Sequence, residues 1–218
     1  MSLFISFEGP DGSGKTTQIG LLAEYLRGLG YDVLITREPG GTSIGDQIRA
    51  VLHDVKNVEM ARETEFLLYS ASRAQLVRQV IMPHLARGGI VLCDRFADSS
   101  MAYQGYGREL DLAAIRLVTQ FATEGLTPHL TVYLDLPVEV GIERKQAAYA
   151  TQAGEWNRLD QQSVDFHRRV RRGYLEMAQA KPDRWLVIDA TQSVIDTQAV
   201  IRMRLETLLS QARKVTTG

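Results

Sequence analysis

The chain of 218 residues contains 44% hydrophobic and 23% charged side chains, a composition typical of a globular domain with a sizeable core. Its formal net charge of −1 argues against a nucleic-acid polymer or an anionic membrane as partner. The single cysteine, Cys93, lies in an apolar stretch and indicates a buried thiol rather than a disulfide or a metal ligand. Because we find neither an export signal nor an apolar stretch of about 18 residues, we expect a cytoplasmic protein.

Five short apolar or β-branched segments predict the strands Leu3–Phe7, Asp32–Thr36, Gly89–Asp94, Leu130–Leu136 and Trp185–Asp189. Several of them are almost continuously hydrophobic, and helical patterns separate them along the chain. This alternation favours a parallel sheet with helices on both faces. The sequence therefore predicts one α/β domain over residues 1–213 and a short disordered tail at 214–218.

Helical periodicity predicts six helices around these strands. They are Lys15–Leu29, Arg62–Ala86 with a kink near Pro83, Leu112–Thr123, Val138–Tyr149, Ser163–Ala180 and Val194–Ala212. The stretch Tyr149–Asn157 interrupts the periodicity between two of these helices. It is either a mobile loop or a plain surface connection.

The first strand leads into the stretch FEGPDGSGKTTQ, which fits the phosphate-binding pattern G-x-x-x-x-G-K-[ST]. Glycines allow backbone N–H groups to close around an anion, and the N-terminus of the next helix adds a favourable dipole. Lys15 would reach the β and γ phosphates of a nucleotide, and the Thr16 hydroxyl would ligate Mg²⁺. The residues expected around the phosphates are Gly9, Pro10, Asp11, Gly12, Ser13, Gly14, Lys15, Thr16 and Thr17.

Charged residues also follow two further strands, where the ligand crevice of an open α/β sheet is expected. Arg37 and Arg95 each come directly after a predicted strand, and two planar guanidinium groups there suit a second anion. Asp94 fits an acidic group that orients Mg²⁺. The alternatives are surface salt bridges for the arginines and a helix N-cap for the aspartate.

Two polar clusters are candidates for a second-substrate pocket. Tyr69 and Arg73 are four residues apart and share one helix face, where a ring and a guanidinium would stack on a planar base and bind its edge. Alone, such a pair is more typical of a core aromatic and an outward-pointing arginine. The stretch SSMAYQGYGR, Ser99–Arg108, adds hydroxyls, aromatics and an amide, which suit a polar pocket wall better than a core helix.

Five features follow one another along the chain: FEGPDGSGKTTQ, TREPGGT, the Tyr69 and Arg73 pair, DRF…SSMAYQG and YLDLPVEVGIER. In order and spacing they resemble the thymidylate kinase family, and the resemblance extends from Phe4 to about Leu209. The resemblance implies a P-loop nucleoside monophosphate kinase fold: a five-stranded parallel sheet, helices on both faces and a lid. It also implies a homodimer that transfers the γ-phosphoryl group of ATP, bound with Mg²⁺, to dTMP and so yields dTDP.

The resemblance further implies roles for individual residues. Arg95 would bind the dTMP phosphate with Arg37 nearby, while Lys15 would hold the donor phosphates. Asp11 would orient the acceptor phosphate or a metal-bound water. No general base is required, because a nucleotide phosphate oxygen is already ionised.

The same resemblance implies which residues read the base and the sugar. Tyr69 would stack on thymine, and Arg73 would hydrogen-bond to its carbonyl group. Tyr103 would crowd the sugar 2′ position. Further polar contacts to the base are expected from Ser100 and Gln104.

The lid, at about residues 144–158, would supply the remaining positive charge. Some family members carry an arginine between the aspartate and the lysine of the phosphate-binding loop, but here the three residues between them are uncharged. This resembles the bacterial type with an arginine-rich lid. The lid offers Arg144, Lys145 and Arg158, of which Arg144 and Arg158 match the family pattern best.

Two other functions remain open at this point. A P-loop kinase for another nucleoside monophosphate or for a deoxynucleoside would have the same donor site, but a nucleoside acceptor would require a carboxylate base instead of two arginines. A GTPase-type switch would require an Asn/Thr-Lys-x-Asp base reader after a strand. The nearest string, Ala180–Asp183, has the wrong first residue and precedes a strand.

Overall fold

A computed structural model describes residues 2–151 and 156–216 of the chain. Within these residues, five strands form one sheet: β1 (Leu3–Glu8), β2 (Val33–Arg37), β3 (Ile90–Asp94), β4 (Leu130–Asp135) and β5 (Trp185–Asp189). All neighbouring strands are parallel, in the order β2-β3-β1-β4-β5. The predicted five-stranded parallel sheet is confirmed.

The helices connect successive strands and cover both faces of the sheet. They are α1 (Lys15–Gly28), α2 (Ser43–His53), α3 (Arg62–Leu76), α4 (Met82–Ala86), α5 (Ala97–Ser100), α6 (Leu112–Thr123), α7 (Val138–Ala150), α8 (Val164–Ala180) and α9 (Val194–Thr216). Two π-helical segments, Val77–Ile81 and Met101–Gly107, follow α3 and α5 directly. Among the helices that the structure describes, none is both long enough and apolar enough to cross a membrane.

Alternate residues of the strands face two separate cores. On β1, Ile5 packs into a cluster with Leu22 of α1 and Ile201 of α9, all three buried completely. Its neighbour Phe4 points to the opposite face and packs against Phe96, with ring centroids 4.8 Å apart. The near-continuous hydrophobicity of the strands follows from this two-sided burial.

The helical structure adds two helices, α2 and α5, and two π-helical segments, within the described residues, to what the sequence predicted. Helix α2 was not predicted, although Thr42 caps it by accepting a 2.9 Å hydrogen bond from the Gly45 N–H. The predicted helix Arg62–Ala86 is helical over its whole length, as α3, the first π-helical segment and α4 in direct succession, with Pro83 in the α4 part. The stretch Ser99–Arg108, predicted as a pocket wall, is helical over most of its length, and Ser99, Ser100, Tyr103 and Gln104 line the cavity.

The predicted lid and tail are only partly described. Helix α7 covers the first part of the lid, and residues 152–155 lie outside the described residues. Helix α9 continues to Thr216, so residues 214–216 of the predicted tail are helical, while residues 217–218 lie outside the described part. The domain boundary at 213 remains a prediction.

The register of the sheet positions the site. Asp94, the last residue of β3, pairs with Arg37 of β2 on one side and with Phe7 of β1 on the other. Strand β1 runs directly into the phosphate-binding loop, residues 9–16. The carboxyl ends of three neighbouring strands therefore bring Arg37, Asp94 and this loop to one edge of the sheet.

Candidate active site

A cavity of about 570 Å³ opens at this edge. It collects most of the residues predicted for the site: Pro10, Asp11, Gly12, Gly14, Lys15, Thr16, Thr17, Arg37, Tyr69, Asp94, Arg95, Ser100, Tyr103 and Gln104. Five other predicted residues do not line it: Gly9, Ser13, Arg73, Arg144 and Arg158. The predicted donor loop and the predicted acceptor pocket thus share one continuous cavity.

The phosphate-binding loop is closed by its own lysine. Lys15 begins α1, and its Nζ donates hydrogen bonds of 3.0 Å to the carbonyl oxygens of Gly9 and Pro10. Gly9 adopts a φ of +135°, and a Cβ there would lie 2.5 Å from the carbonyl oxygen of Leu134, so only glycine fits. Burial and the neighbouring Arg95 guanidinium lower the pKa of Lys15.

Thr16 and Asp94 form the candidate magnesium site. The Thr16 hydroxyl donates a 3.4 Å hydrogen bond to Oδ2 of Asp94, and both residues line the cavity. One hydroxyl and one carboxylate fit Mg²⁺, which keeps several waters and is completed by substrate phosphates. The described residues contain no cluster of three or more His, Cys, Asp or Glu side chains that could hold a metal ion.

Asp11 is the centre of a cluster of cations. Its Oδ1 lies 2.9 Å from Nη2 of Arg95 and 3.8 Å from Nζ of Lys15, and its Oδ2 accepts a 2.6 Å hydrogen bond from Lys145. Burial alone would raise the pKa of Asp11, but these three positive charges hold it far below its ordinary range. Asp11 is therefore ionised and links the phosphate-binding loop to the acceptor side and to the lid.

Arg95 is held rigidly at the boundary between the two halves of the cavity. Its backbone has a φ of +68°, a left-handed conformation that is costly for a non-glycine residue and typical of functional sites. Its backbone N–H donates to the carbonyl oxygen of Phe7, and its guanidinium lies 5.1 Å from the centre of the Tyr103 ring. By contrast, the Arg37 side chain is 60% exposed and has a 3.8 Å contact with Asp46.

Arg73 is buried more deeply than its predicted role requires. Only 1% of its side chain is exposed, and Nε donates a 2.8 Å hydrogen bond to Oε2 of Glu38, which lines the cavity. Its Nη1 is buried and has no partner within the described part of the chain, as is also true of Oε1 of Glu38 and Oγ of Ser100. These three atoms have unused hydrogen-bonding capacity, and two of them belong to residues that line the cavity, Glu38 and Ser100.

Gln104 and Arg158 meet at a second buried carboxylate, Glu65. Gln104 Nε2 donates a 2.8 Å hydrogen bond to Oε1 of Glu65, and Arg108 Nη2 donates a 2.9 Å hydrogen bond to Oε2. The Arg158 guanidinium also binds Oε2 and donates to the Leu52 carbonyl oxygen. In this structure Arg158 therefore binds Glu65 and not the phosphate-binding loop.

The first part of the lid contacts the loop through α7. Arg144 Nη1 donates hydrogen bonds of 3.4 Å to the Gly12 carbonyl oxygen and 3.2 Å to the Ala190 carbonyl oxygen. Lys145 lines the cavity, and its Nζ lies 3.3 Å from Asp160 in addition to its bond with Asp11. The resemblance to the family favoured Arg144 and Arg158 as the lid cations, but in the structure Lys145 is the one that binds the loop carboxylate Asp11.

A further carboxylate, Glu8, lies buried beneath Arg95. Its oxygens accept hydrogen bonds from the Phe96 N–H at 2.8 Å, the Ser99 hydroxyl at 2.6 Å and the Tyr174 hydroxyl at 2.7 Å. Burial and the negative charge of Asp98 raise the pKa of Glu8 to about 7. Sequence reasoning missed this residue, because a single glutamate at the end of a hydrophobic strand carries no sign of its partners.

Comparisons with known proteins identify the family. The family model described as thymidylate kinase matches residues 7–201. The chain belongs to the thymidylate kinase family. It is 53% identical over 201 residues to the thymidylate kinase of Roseiflexus sp. (strain RS-1), covering 89% of each chain. It is also 53% identical over 199 residues to that of Deinococcus radiodurans, covering 91% of this chain and 94% of the relative.

A solved structure agrees with this assignment. The crystal structure of thymidylate kinase from Ehrlichia chaffeensis is similar with a TM-score of 0.75 and 33% identity, over 94% of this chain and 98% of the other. The predicted P-loop nucleoside monophosphate kinase fold and the predicted phosphotransferase class are confirmed. The alternatives of a different P-loop kinase and of a GTPase-type switch are not favoured.

Proposed function

We propose that the chain transfers the γ-phosphoryl group of ATP to dTMP inside the cavity. Family membership supports the reaction. The observation that carries the two-substrate arrangement is the position of Asp11, which lies 3.8 Å from Lys15 on the donor side and 2.9 Å from Arg95 on the acceptor side. ATP phosphates beside Lys15 and the dTMP phosphate beside Arg95 would then be neighbours.

In the transfer, an ionised phosphate oxygen of dTMP forms a bond to the γ-phosphorus, and the bond to the β–γ bridging oxygen breaks, which leaves ADP. Such a loose, in-line transition state requires positioning and positive charge rather than proton abstraction. Lys15 and the backbone N–H groups of the loop would hold the donor phosphates. Arg95 would align the acceptor oxygen, with Arg37 as the more exposed second contact.

Thr16 and Asp94 would hold Mg²⁺ together with the donor phosphates. When bound, the ion neutralises charge on the β and γ oxygens. The side chains fit this role because the hydroxyl and the carboxylate are only 3.4 Å apart. Asp11, with its strongly lowered pKa, would orient the cations around the acceptor phosphate.

For the lid, we propose that Lys145 supplies the charge at the transferred group, with Arg144 fixing α7 against the loop. The bond from Lys145 to Asp11 and the bonds from Arg144 to the carbonyl oxygens of Gly12 and Ala190 support this division of roles. Lys145 is also ion-paired, with Asp11 and Asp160, but it lines the cavity, whereas Arg158 does not line it and would have to be released from Glu65.

Thymine would lie against Tyr69, between Arg73 and the Ser100 and Gln104 side chains. The buried, unpartnered Nη1 of Arg73 would donate to a carbonyl oxygen of the base. Tyr103, which contacts the Arg95 guanidinium through its ring, would lie beside the sugar. These assignments follow the predicted roles with one refinement, since Glu38 holds Arg73 in place.

We also propose a homodimer in the cytoplasm, formed through helix α6. Phe121 and Leu117 on α6 are 86% and 70% exposed, and Leu67 on the neighbouring α3 is 55% exposed. An apolar face of this kind supports a contact with a second copy.

The direct test of the proposed function is a panel of nucleoside monophosphates and nucleosides incubated with Mg-ATP and scored for ADP release and phosphorylated product. We expect dTMP to have the highest kcat/KM. A better acceptor in the panel, or ADP release without product, would contradict the proposal.

A further inference from the structure

The Gln104 amide lies between the cavity and the carboxylate of Glu65. Gln104 lines the cavity, while its Nε2 donates a 2.8 Å hydrogen bond to Oε1 of Glu65 on the far side. Glu65 is buried completely. Within the described ranges, its side-chain oxygens contact only donors, namely Gln104, Arg108 and Arg158.

This arrangement determines which end of the amide faces the cavity. Burial would raise the pKa of Glu65, but hydrogen bonds from Arg108 and Gln104 and the charge of Arg158 keep it below its ordinary range. An ionised carboxylate only accepts hydrogen bonds, so it selects the NH₂ end of Gln104. With the amide reversed, two oxygens would face each other. Gln104 therefore directs its oxygen, an acceptor, away from Glu65 and toward the cavity.

The hydrogen-bonding edges of the pyrimidines make this orientation chemically selective. Thymine and uracil carry an N3–H donor, whereas N3 of cytosine is an acceptor and its position 4 carries an amino group. An acceptor from Gln104 therefore binds the thymine edge and is repelled by the cytosine edge. Nη1 of Arg73, buried and without a partner among the described residues, adds a donor for a carbonyl oxygen.

We propose that Glu65 is a specificity-determining positioning residue: by fixing the amide of Gln104 as an acceptor, it makes the pocket select bases with an N3–H and reject cytosine. The inference rests on the proposed function, since it requires the pyrimidine to lie beside Gln104. Arg108 and Arg158 hold Glu65 in position and do not themselves face the base.

The variant Glu65→Gln tests the proposal with a minimal change in shape. The Nη2 groups of Arg108 and Arg158 both bind Oε2 of Glu65 and retain an oxygen of Gln at that position. The NH₂ group then takes the place of Oε1, where it faces Gln104 and displaces only the long 3.3 Å contact from Nε of Arg108. Gln104 then turns over and presents a donor to the cavity. We expect the ratio of kcat/KM for dTMP to that for dCMP to fall by at least about tenfold, because a site built for one hydrogen-bonding pattern discriminates strongly against its reverse. The inhibition constant of dCMP, measured as a competitor of dTMP phosphorylation, should fall in the same variant.

Arg108→Lys is the matched control, since it loosens the same cluster but leaves the carboxylate and its bond to Gln104. We expect a lower melting temperature and an unchanged ratio. If Glu65→Gln leaves the ratio unchanged, or if Arg108→Lys shifts it equally, the proposal is overturned. Wild-type protein that fails to phosphorylate dTMP would instead refute the proposed function itself.

The wild-type protein provides a second readout if Glu65→Gln does not fold. With ¹⁵N-labelled glutamine, the side-chain amide protons of Gln104 should exchange slowly both before and after addition of dTMP, because they remain bonded to Glu65. The proposal is overturned if these protons exchange rapidly with solvent, or if they hydrogen-bond to the base instead of to Glu65 when dTMP binds.

Discussion

Lys145 of the lid helix α7 donates a 2.6 Å hydrogen bond to Asp11 of the phosphate-binding loop. We therefore expect Lys145→Met to lower kcat for dTMP by on the order of 100-fold or more, as is typical when a group that stabilises transition-state charge is removed. The KM for ATP should change little. Steady-state kinetics and the melting temperature are the measurements.

Arg158→Met is the comparison for this variant, because Arg158 binds Glu65 instead of the loop. Its removal should lower the melting temperature more than it lowers kcat. The reverse pattern, a large loss of kcat at unchanged stability, would return the catalytic role to Arg158 and contradict our assignment of Lys145.

Arg95→Ala should lower kcat/KM for dTMP by an amount equivalent to at least about 2 kcal/mol, the scale of a lost charge-assisted contact. Arg37→Ala should have a smaller effect, since its side chain is 60% exposed and already screened by water. Kinetics with saturating ATP separate the two variants, and near-wild-type values for Arg95→Ala would refute its role.

Tyr69→Ala should raise the KM for dTMP well above any change in the KM for ATP, because the ring contacts only the base in our proposal. Arg73→Ala should raise the KM for dTMP as well, but it should also destabilise the fold by about 3–5 kcal/mol, since it leaves the buried carboxyl group of Glu38 without its partner. Chemical denaturation measures the second effect. Equal increases in both KM values would contradict the pocket assignment.

Glu8 should make stability depend on pH. Its pKa is raised from 4.5 to about 7, so the folded state holds a proton that the unfolded state has already released. The stabilisation is fully present below pH 4.5 and is lost as the pH rises through about 7, a change on the order of 3 kcal/mol. Glu8→Gln should remove this pH dependence of stability. The unfolding free energy of the variant, measured relative to that of the wild type, should therefore rise between about pH 5 and pH 8. Parallel curves would disprove the assignment.

Phe121→Asp should convert a homodimer into a monomer, because it places a charge in the apolar face of α6. Sedimentation of both proteins measures this change, and Ile195→Asp on α9 is a control with a similarly exposed apolar residue, 79% against 86%. If neither variant alters the oligomeric state, the proposed interface is wrong.

The donor half of the site could be predicted from sequence because its chemistry is local. The glycines and Lys15 lie within eight consecutive residues, so their spacing alone defines the loop. Arg37 and Arg95 could be predicted for a related reason, since the ends of parallel strands meet at one edge of the sheet. Helix α2 was missed although Thr42 as a cap and the spacing of Ile44, Ile48 and Leu52 provided a usable signal.

The ion-pair partners of the site carboxylates could not be predicted, because they are distant in the chain. Arg158 and Glu65 are 93 residues apart, and Lys145 and Asp11 are 134 residues apart. A residue pattern reports which side chains are charged, but only tertiary packing decides which charges pair. The roles of Arg158 and Lys145 in the lid were therefore the part of the site that sequence reasoning resolved least.

The π-helical segment Met101–Gly107 has a consequence for comparing this protein with its relatives. Its wider turn contains one residue more than a regular helix would need, as the hydrogen bond from the Arg108 N–H to the Tyr103 carbonyl oxygen shows. Because the wide turn absorbs that extra residue, deleting a single residue there would restore the regular pitch and largely preserve the orientation of the following side chains relative to Ser100. In an alignment, a one-residue gap in this segment therefore leaves the helical residues on both sides of it in equivalent positions.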